Sequence, residues 1–435
     1  MQEIFDPTTE LAAVTAPGVE PRLLRAGPEM EDLAAYRASG GYRLLDSAAE
    51  LLEEIRHSGL RGRGGAAFPT AIKLGSVRDA HLRGSATVVV ANGEEGEPAS
   101  VKDRWLLCRR PHLVLDGLRL AAAITGASQA YVYISDPEAA QRVDAALTEL
   151  DGTDITRVRI ELVTVAAGYV AGEETAAIRA INGGPAKPAD KPPRPFESGV
   201  DDLPTAVSNV ETLANLPFIH RHGGQAFREQ GTAGSPGTFL VTVTGGDRGP
   251  GLYELPHGAR FADLLALHRI SPQDVRGALM GGYFSGIADR AVLDATLDHE
   301  SIRGLGYGLG CGAISLITDE CPVAVAASVL GYFDRENAGQ CGSCFNGTAA
   351  MAAVAAALRD GRATDADIQR LQRWSVVLRG RGACGTLDGA CNAAATLLSR
   401  FRTEVDAHLD GRCPDCAQRI YLADRPFDAR EVLVP

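Results

Sequence analysis

Between Ser58 and Lys73 the chain runs Ser-Gly-Leu-Arg-Gly-Arg-Gly-Gly-Ala-Ala-Phe-Pro-Thr-Ala-Ile-Lys. Glycine at this density admits few outcomes. It tolerates positive φ and lets the backbone approach a ligand closely. Successive N–H groups in such a turn can cradle a phosphate, and a helix start behind them adds favourable dipole charge. Arg61, Arg63 and Lys73 supply fixed positive charge beside the turn. A glycine-rich surface loop is the plain alternative. Cations and Phe68-Pro69 set among the glycines favour a site for a nucleotide or flavin phosphate. The pattern is neither the dinucleotide fingerprint of a Rossmann fold nor a P-loop, since no Gly-Lys-Ser/Thr follows.

A chain of 435 residues is expected to form more than one domain, each with its own core. Apolar content of 45% and charged content of 23% are ordinary for a soluble globular protein. A net charge of -12 argues against nucleic acid or anionic lipid as the main partner. No continuous apolar run reaches membrane-spanning length, and the stretch Val323 to Phe333 is too short and follows Pro322. The first residues lack a basic region followed by an apolar core, so no signal peptide is expected. The nine cysteines cluster late in the chain, which points to metal or redox use in a cytoplasmic protein rather than a disulfide framework.

Periodicity divides the chain. Residues 1–44 read as a polar N-terminal arm. From Ala86 strands and helices alternate: Ala86–Ala91, a helix over Pro111–Thr125 closed by Gly126, Ala130–Ile134, a helix capped by Asp136 with Pro137 in its first turn, and Ile160–Val165. That succession predicts an α/β domain over 45–235 with a parallel sheet covered on both faces. Its first strand ends near Asn92, so the acidic loop that follows lies where such sheets bind ligands. Gly184–Pro204 reads as an extended connector. Thr238–Thr244 and Gly251–Pro256 read as strands and Phe261–His268 as a helix, together a β-grasp unit over 236–320. From Cys321 the pattern turns helical. Thr364 with Asp367 marks a capping box, Ile368, Leu371, Trp374, Ser375 and Leu378 keep helical spacing, and Ala393–Leu409 reads as one amphipathic helix. Residues 321–410 thus predict a helical bundle, and 411–435 a tail carrying Cys413-Pro-Asp-Cys416.

Four blocks in order carry a family resemblance: the glycine loop; Asn92-Gly93-Glu94-Glu95-Gly96-Glu97-Pro98 with Lys102-Asp103-Arg104; Tyr169-Val170-Ala171-Gly172-Glu173-Glu174-Thr175; and Asn209-Val210-Glu211-Thr212-Leu213-Ala214-Asn215. Over roughly residues 45–410 the chain resembles the FMN-carrying, NADH-oxidising subunit of respiratory complex I. The diaphorase subunits of NAD-linked hydrogenases and formate dehydrogenases share the pattern. The resemblance implies a Rossmann-like FMN-binding domain, an SLBB-like β-grasp domain and a helical bundle carrying an iron–sulfur motif. It also implies that Gly62, Arg63, Gly64, Gly65, Lys73, Asn92, Glu94, Glu95, Gly172, Glu173, Asn209 and Thr212 cradle FMN. Phe68, Glu97, Tyr169, Glu174 and Lys191 match positions lining the NADH cavity, with Phe68 as adenine stacker or as plain core. A solvated acidic turn is the alternative for Glu94, Glu95 and Glu97.

The departures are informative. The family usually has an aromatic residue near Ser76 and another at Arg194, an aspartate at Glu94 and an asparagine at Ser208. Arg194 suggests a shift towards NADPH, since arginine near an adenosine ribose accommodates a 2′-phosphate. In the family four cysteines hold a [4Fe–4S] cluster. Cys341, Cys344 and Cys384 match three of them, whereas Ala338 stands at the first position and has no donor atom. A three-thiolate cluster (4Fe-4S with an open iron, or 3Fe-4S), a substitute ligand from Cys391, or no cluster at all remain open. The Cys413/Cys416 pair is compatible with zinc, a redox pair or a partner's cluster. Cys311 and Cys321 read as packed thiols, and Cys108 as core.

The expected protein is an FMN-dependent NAD(P)H oxidoreductase that passes electrons through an iron–sulfur cluster to a ferredoxin or a small iron–sulfur partner subunit. It is expected to need neither nucleic acid nor membrane insertion. A cluster-free FMN reductase of a quinone or other organic acceptor is the first rival, and a non-catalytic scaffold subunit the second.

Overall fold

The computed structural model describes residues 12–24, 30–153, 155, 158–246, 249–411, 413, 415, 416 and 421–424. The start of the expected N-terminal arm and most of the 411–435 tail lie outside the described residues.

Val88-Val89-Val90-Ala91 is buried on both faces, as a β-branched apolar run in a covered parallel sheet must be. It forms the strand Val88–Asn92. Around it a four-stranded parallel sheet runs in the order Arg159–Thr164, Gln129–Ile134, Val88–Asn92, Thr205–Asn209. The Thr205–Asn209 strand adds to those expected. Its Thr-Ala-Val-Ser-Asn sequence is short, and it pairs only through the fold. Register sets Asn92 directly beside Asn209, so two motif blocks leave adjacent strands at the same carboxyl edge.

Helix Pro111–Thr125 begins with proline and ends at Gly126, φ 73°, as its sequence predicts. A Cβ on its Gly117 would lie 2.0 Å from the Leu213 carbonyl. Only glycine lets this helix press so closely on helix Val210–Ala214, which carries the fourth motif block.

A second, mixed sheet has six strands in the order Ala12–Thr15, Gly251–Pro256, Thr238–Thr244, Ala313–Ile317, Gly277–Met280, Ile287–Asp289. Its first strand comes from the segment read as an arm. Buried Glu254 explains the attachment: its carboxylate accepts the Leu23 and Leu24 N–H groups at 3.0 and 2.9 Å and the Thr238 hydroxyl at 2.8 Å.

Helices Pro322–Glu336, Gly342–Arg359, Asp365–Val377, Thr386–Arg400 and Arg402–Leu409 pack around Leu330, Phe333, Met351, Leu358, Leu371, Leu387 and Leu397. The Thr364–Asp367 capping box is present. The expected single helix Ala393–Leu409 is instead two. Phe401 breaks it at φ -123°, ψ 43°, buries its ring, and turns Val405 and His408 inward. Among the described residues no helix is long and apolar enough to cross a membrane.

Candidate functional site

The glycine loop is closed by two backbone bonds: Gly62 N–H to the Phe68 carbonyl at 2.8 Å and Thr70 N–H to the Leu60 carbonyl at 3.0 Å. Helix Thr70–Leu82 starts directly behind it. Gly65 has φ +118°, and a Cβ on Gly64 would come within 3.2 Å of the Asn209 Cβ. The loop therefore lies on the carboxyl edge of the parallel sheet. The Arg63 N–H donates to Thr212 Oγ1 at 2.8 Å, joining the first block to the fourth. The Arg63 guanidinium turns inward, donating to the Thr238 carbonyl at 3.0 Å with Glu211 at 3.9 Å. Burial lowers its pKa to about 10 against the pull of Glu211. Arg61 stays half-buried, 3.5 Å from Glu300. Lys73 donates to the Val207 carbonyl at 2.7 Å and lies 3.5 Å from Glu174.

The acidic loop is only partly directed at open space. Asn92 donates to the Gly172 carbonyl at 2.8 Å, which joins the second block to the third. Glu94 is buried and accepts the Gly168 N–H at 3.3 Å through Oε1, while Oε2 has no hydrogen-bond partner among the described residues. Burial raises its pKa to about 8. A Cβ on Gly172 would sit 2.5 Å from that free oxygen. Glu97 Oε2 accepts the Tyr283 N–H at 3.0 Å, and its Oε1 is likewise unpaired among the described residues. Burial raises Glu97 to about 8 as well. Glu95 behaves differently: it accepts the Asp103 and Arg104 N–H groups at 3.2 and 3.0 Å and so closes the start of helix Lys102–Arg109. Glu173 plays the same part for helix Glu174–Ile181, accepting the Thr175 and Ala176 N–H groups at 2.7 and 3.2 Å.

On the nucleotide side, Lys191 bridges Glu173 at 2.8 Å and Glu174 at 3.0 Å. Burial would raise Glu174, but Lys73 and Lys191 hold it below the ordinary carboxyl range. Tyr169 packs edge-on against Tyr332 and Phe333, with centroids 5.7 and 5.3 Å away. Phe68 is 47% exposed, so it is not a core residue. Arg194 is exposed; its N–H donates to Glu197 at 2.8 Å, and among the described residues its guanidinium makes no ion pair.

Cys341, Cys344 and Cys384 line one small recess together with Ala338, Pro188, Gln340 and Ala383. The Ala383 N–H donates to Cys341 Sγ at 3.4 Å, a bond suited to a thiolate. Burial pushes the Cys344 thiol up to about 12, with Cys384 and Cys341 adding to the effect. Cys391 is not among the lining residues. It is fully buried in the helical core with Sγ 3.8 Å from the Trp374 carbonyl.

The sequence reading left out of the site an ionic knot beneath it. Lys102 Nζ contacts Asp103 at 2.7 Å, Glu211 at 3.0 Å and Asn209 Oδ1 at 3.4 Å, and Asn209 donates to Asp103 at 2.7 Å. Adjacent Lys-Asp in the second block and a glutamate inside the apolar helix Val210–Ala214 were its available signals. Tyr283 and Gly282 were also missed. A Cβ on Gly282 would come 2.2 Å from Glu97 Oε2.

Known proteins and family models match this chain over most of its length. Residues 55–218 match the Nuo51 FMN-binding domain, and residues 324–408 match the NADH-ubiquinone oxidoreductase-F iron-sulfur binding region. The chain is 34% identical over 419 residues to an F-type NADH-quinone oxidoreductase subunit of Rhizobium meliloti, covering 91% of this chain and 99% of the relative. It is 32% identical to the NADP-reducing hydrogenase subunit HndC of Solidesulfovibrio fructosivorans, covering 88% of this chain and 82% of the relative. A crystal structure of an NAD+-reducing [NiFe]-hydrogenase in the H2-reduced state superposes with a TM-score of 0.77 at 30% identity. That match covers 83% of this chain but only 63% of the hydrogenase chain, less than two thirds of its length.

Proposed function

Because the chain belongs to the family of F-type NADH-quinone oxidoreductase subunits and hydrogenase diaphorase subunits, we propose that it oxidises NADH on a bound FMN and delivers the electrons to a partner protein. The observation that carries this reading is the meeting of all four motif blocks at one sheet edge. The glycine loop rests on Asn209, Asn209 lies beside Asn92, and Asn92 holds Gly172.

The residues fit FMN. The turn over Gly62–Gly65 presents backbone, because its glycines carry no side chain and Arg63 turns inward; among the described residues Glu94 leaves one oxygen unpaired for the flavin, and Glu97 one on the nucleotide side. FMN, when bound, supplies the conversion of a two-electron hydride donor into single electrons. This chain's own residues bind and position. The loop N–H groups, Arg61 and Lys73 favour a phosphate, whereas Arg63 supports the loop from beneath. With pKa values near 8, Glu94 and Glu97 are mainly neutral at pH 7, so they donate hydrogen bonds and do not repel an anionic ligand. Glu95 and Glu173 act through the helices they cap. No acid or base is needed for hydride transfer; the requirement is geometric.

The recess of Cys341, Cys344 and Cys384 fits an iron–sulfur cluster held by three thiolates, with Ala338 at the unligated corner. The core position of Cys391 speaks against its serving as the fourth ligand. We read residues 45–235 as the FMN and nucleotide domain, 236–320 as an SLBB-like β-grasp unit, 321–410 as the bundle with the iron–sulfur motif, and the location as cytoplasmic. Phe68 is exposed as an adenine stacker must be. Arg194, exposed and without an ion pair among the described residues, favours a 2′-phosphate, hence NADPH, as an alternative donor. A ferredoxin or small iron–sulfur protein is the acceptor that suits a one-electron exit.

An anaerobic absorption and EPR spectrum, before and after NADH or NADPH, tests the reading. Flavin bleaching with an iron–sulfur signal is expected. Bleaching without iron would favour direct reduction of an organic acceptor, and no flavin binding at all would overturn the proposal. A strong NADH preference unchanged in Arg194→Ala would remove the NADPH element.

A further inference from the structure

Away from the flavin edge, four potential metal ligands meet at the base of the helical bundle. Cys321 precedes helix Pro322–Glu336, His408 lies at the end of helix Arg402–Leu409, and Cys413 and Cys416 belong to the tail. Their ligand atoms all lie within 4.8 Å of one another. Cys321 Sγ is 3.2 Å and Cys416 Sγ 3.4 Å from His408 Nε2, and Cys413 Sγ is 3.8 Å from Cys321 Sγ. We propose that Cys321, His408, Cys413 and Cys416 bind one zinc ion in a closed structural site.

The spacing suits one ion. Tetrahedral zinc with Zn–S bonds of about 2.3 Å holds its sulfurs roughly 3.8 Å apart. A four-iron cube sets each thiolate on a different iron and so spreads them further. A disulfide needs its sulfurs about 2.05 Å apart, whereas Cys413 and Cys321 stand at 3.8 Å as free thiols. Three thiolates and an imidazole also form a donor set that selects zinc over hard cations.

A second observation points the same way. His408 Nδ1 lies 3.1 Å from the Leu358 carbonyl, to which it can donate only as Nδ1–H. That bond leaves the Nε2 lone pair facing the sulfurs, the orientation that metal-bound histidines receive from a backbone carbonyl. Arg276 pairs with Asp415 at 2.7 Å, pinning the turn between the two tail cysteines. Zinc entry would release the thiol protons to solvent, and three thiolates around one zinc would leave a single net negative charge beside this guanidinium.

The site fastens the tail to the nucleotide wall. Beyond Cys416, Tyr421 donates to the Tyr283 hydroxyl at 3.0 Å, and Tyr283 donates to the Ala423 carbonyl at 2.8 Å. The Tyr283 N–H is also the group that holds Glu97. Zinc is thus a clamp on the segment that buttresses Glu97, not a participant in electron transfer.

Elemental analysis of the purified full chain, with zinc and iron counted separately, tests the proposal. About one zinc per chain is expected, lost in the Cys413→Ser/Cys416→Ser variant while flavin and iron stay at wild-type levels. Zinc absent from the wild-type chain even after incubation with zinc chloride would overturn it. So would zinc retained by the double variant, or iron lost with those two thiols. Should that variant fail to fold, zinc-edge X-ray absorption on the wild-type chain decides. Three sulfurs at about 2.3 Å and one nitrogen at about 2.0–2.1 Å support the site, and any oxygen-dominated shell overturns it.

Discussion

Lys102 Nζ lies 3.0 Å from Glu211 Oε2, and both side chains are only 1% exposed. The pair joins helix Lys102–Arg109 to helix Val210–Ala214 directly beneath the glycine loop. A buried charge pair contributes little net stability when intact, yet removing one partner strands the other. In this knot Asp103 would be stranded as well.

Lys102→Met is therefore expected to destabilise the protein by about 3–5 kcal/mol. It should also lower FMN retention, because Asn209 loses a neighbour that fixes its amide. Denaturant midpoints and the flavin-to-protein ratio check both effects. A variant as stable as wild type would contradict the assignment.

Glu94 and Glu97 carry folded-state pKa values raised from 4.5 to about 8 by burial. Between those values the folded state holds protons that the unfolded state has released. Stability of the flavin-free protein should then fall as pH rises from about 4.5 to 8, and level off above. Each residue contributes at most about 1.4 kcal/mol per pH unit. Glu94→Gln with Glu97→Gln should reduce that slope, leaving the part contributed by Glu95 and Glu211, whose carboxyls burial also raises. Urea unfolding from pH 5 to pH 9 measures it, and an undiminished slope in the double variant would assign it elsewhere.

Iron content distinguishes the late cysteines. Cys384→Ala removes a thiol from the recess and should bring iron close to background while FMN remains. Cys391→Ala removes a buried thiol outside the recess, so iron should persist with a stability loss of about 1 kcal/mol. Loss of iron in the Cys391 variant alone would make that residue a ligand after all.

Phe68 is 47% exposed, so Phe68→Ala should change stability by less than about 0.5 kcal/mol. If its ring stacks on adenine, which is worth about 1–3 kcal/mol, KM for NADH should rise roughly tenfold with kcat nearly unchanged. Steady-state kinetics with saturating acceptor reads this split. An unchanged KM would leave Phe68 outside the donor pocket.

Local sequence determined much of this protein. The four motif blocks, the β-branched run at Val88, the proline start and glycine stop of helix Pro111–Thr125 and the Thr364–Asp367 box depend on neighbours a few residues away, and such signals survive in one dimension. Tertiary structure decided what distant residues do to one another. Glu95 and Glu173 read alike beside Glu94 and Glu97, but only the folded chain puts helix N–H groups against the first two and leaves an oxygen of each of the others unpaired. Ala12–Thr15 becomes a strand because a neighbouring strand and buried Glu254 await it. Cys321 reads as a packed thiol, and His408 lies 87 residues further on. Cys413-Pro-Asp-Cys416 marks a ligand pair close to His408, but nothing around Cys321 ties it to that pair. They meet because Phe401 breaks the last helix and turns His408 inward. Metal affinity belongs to that meeting of donor atoms, which no single stretch of sequence contains.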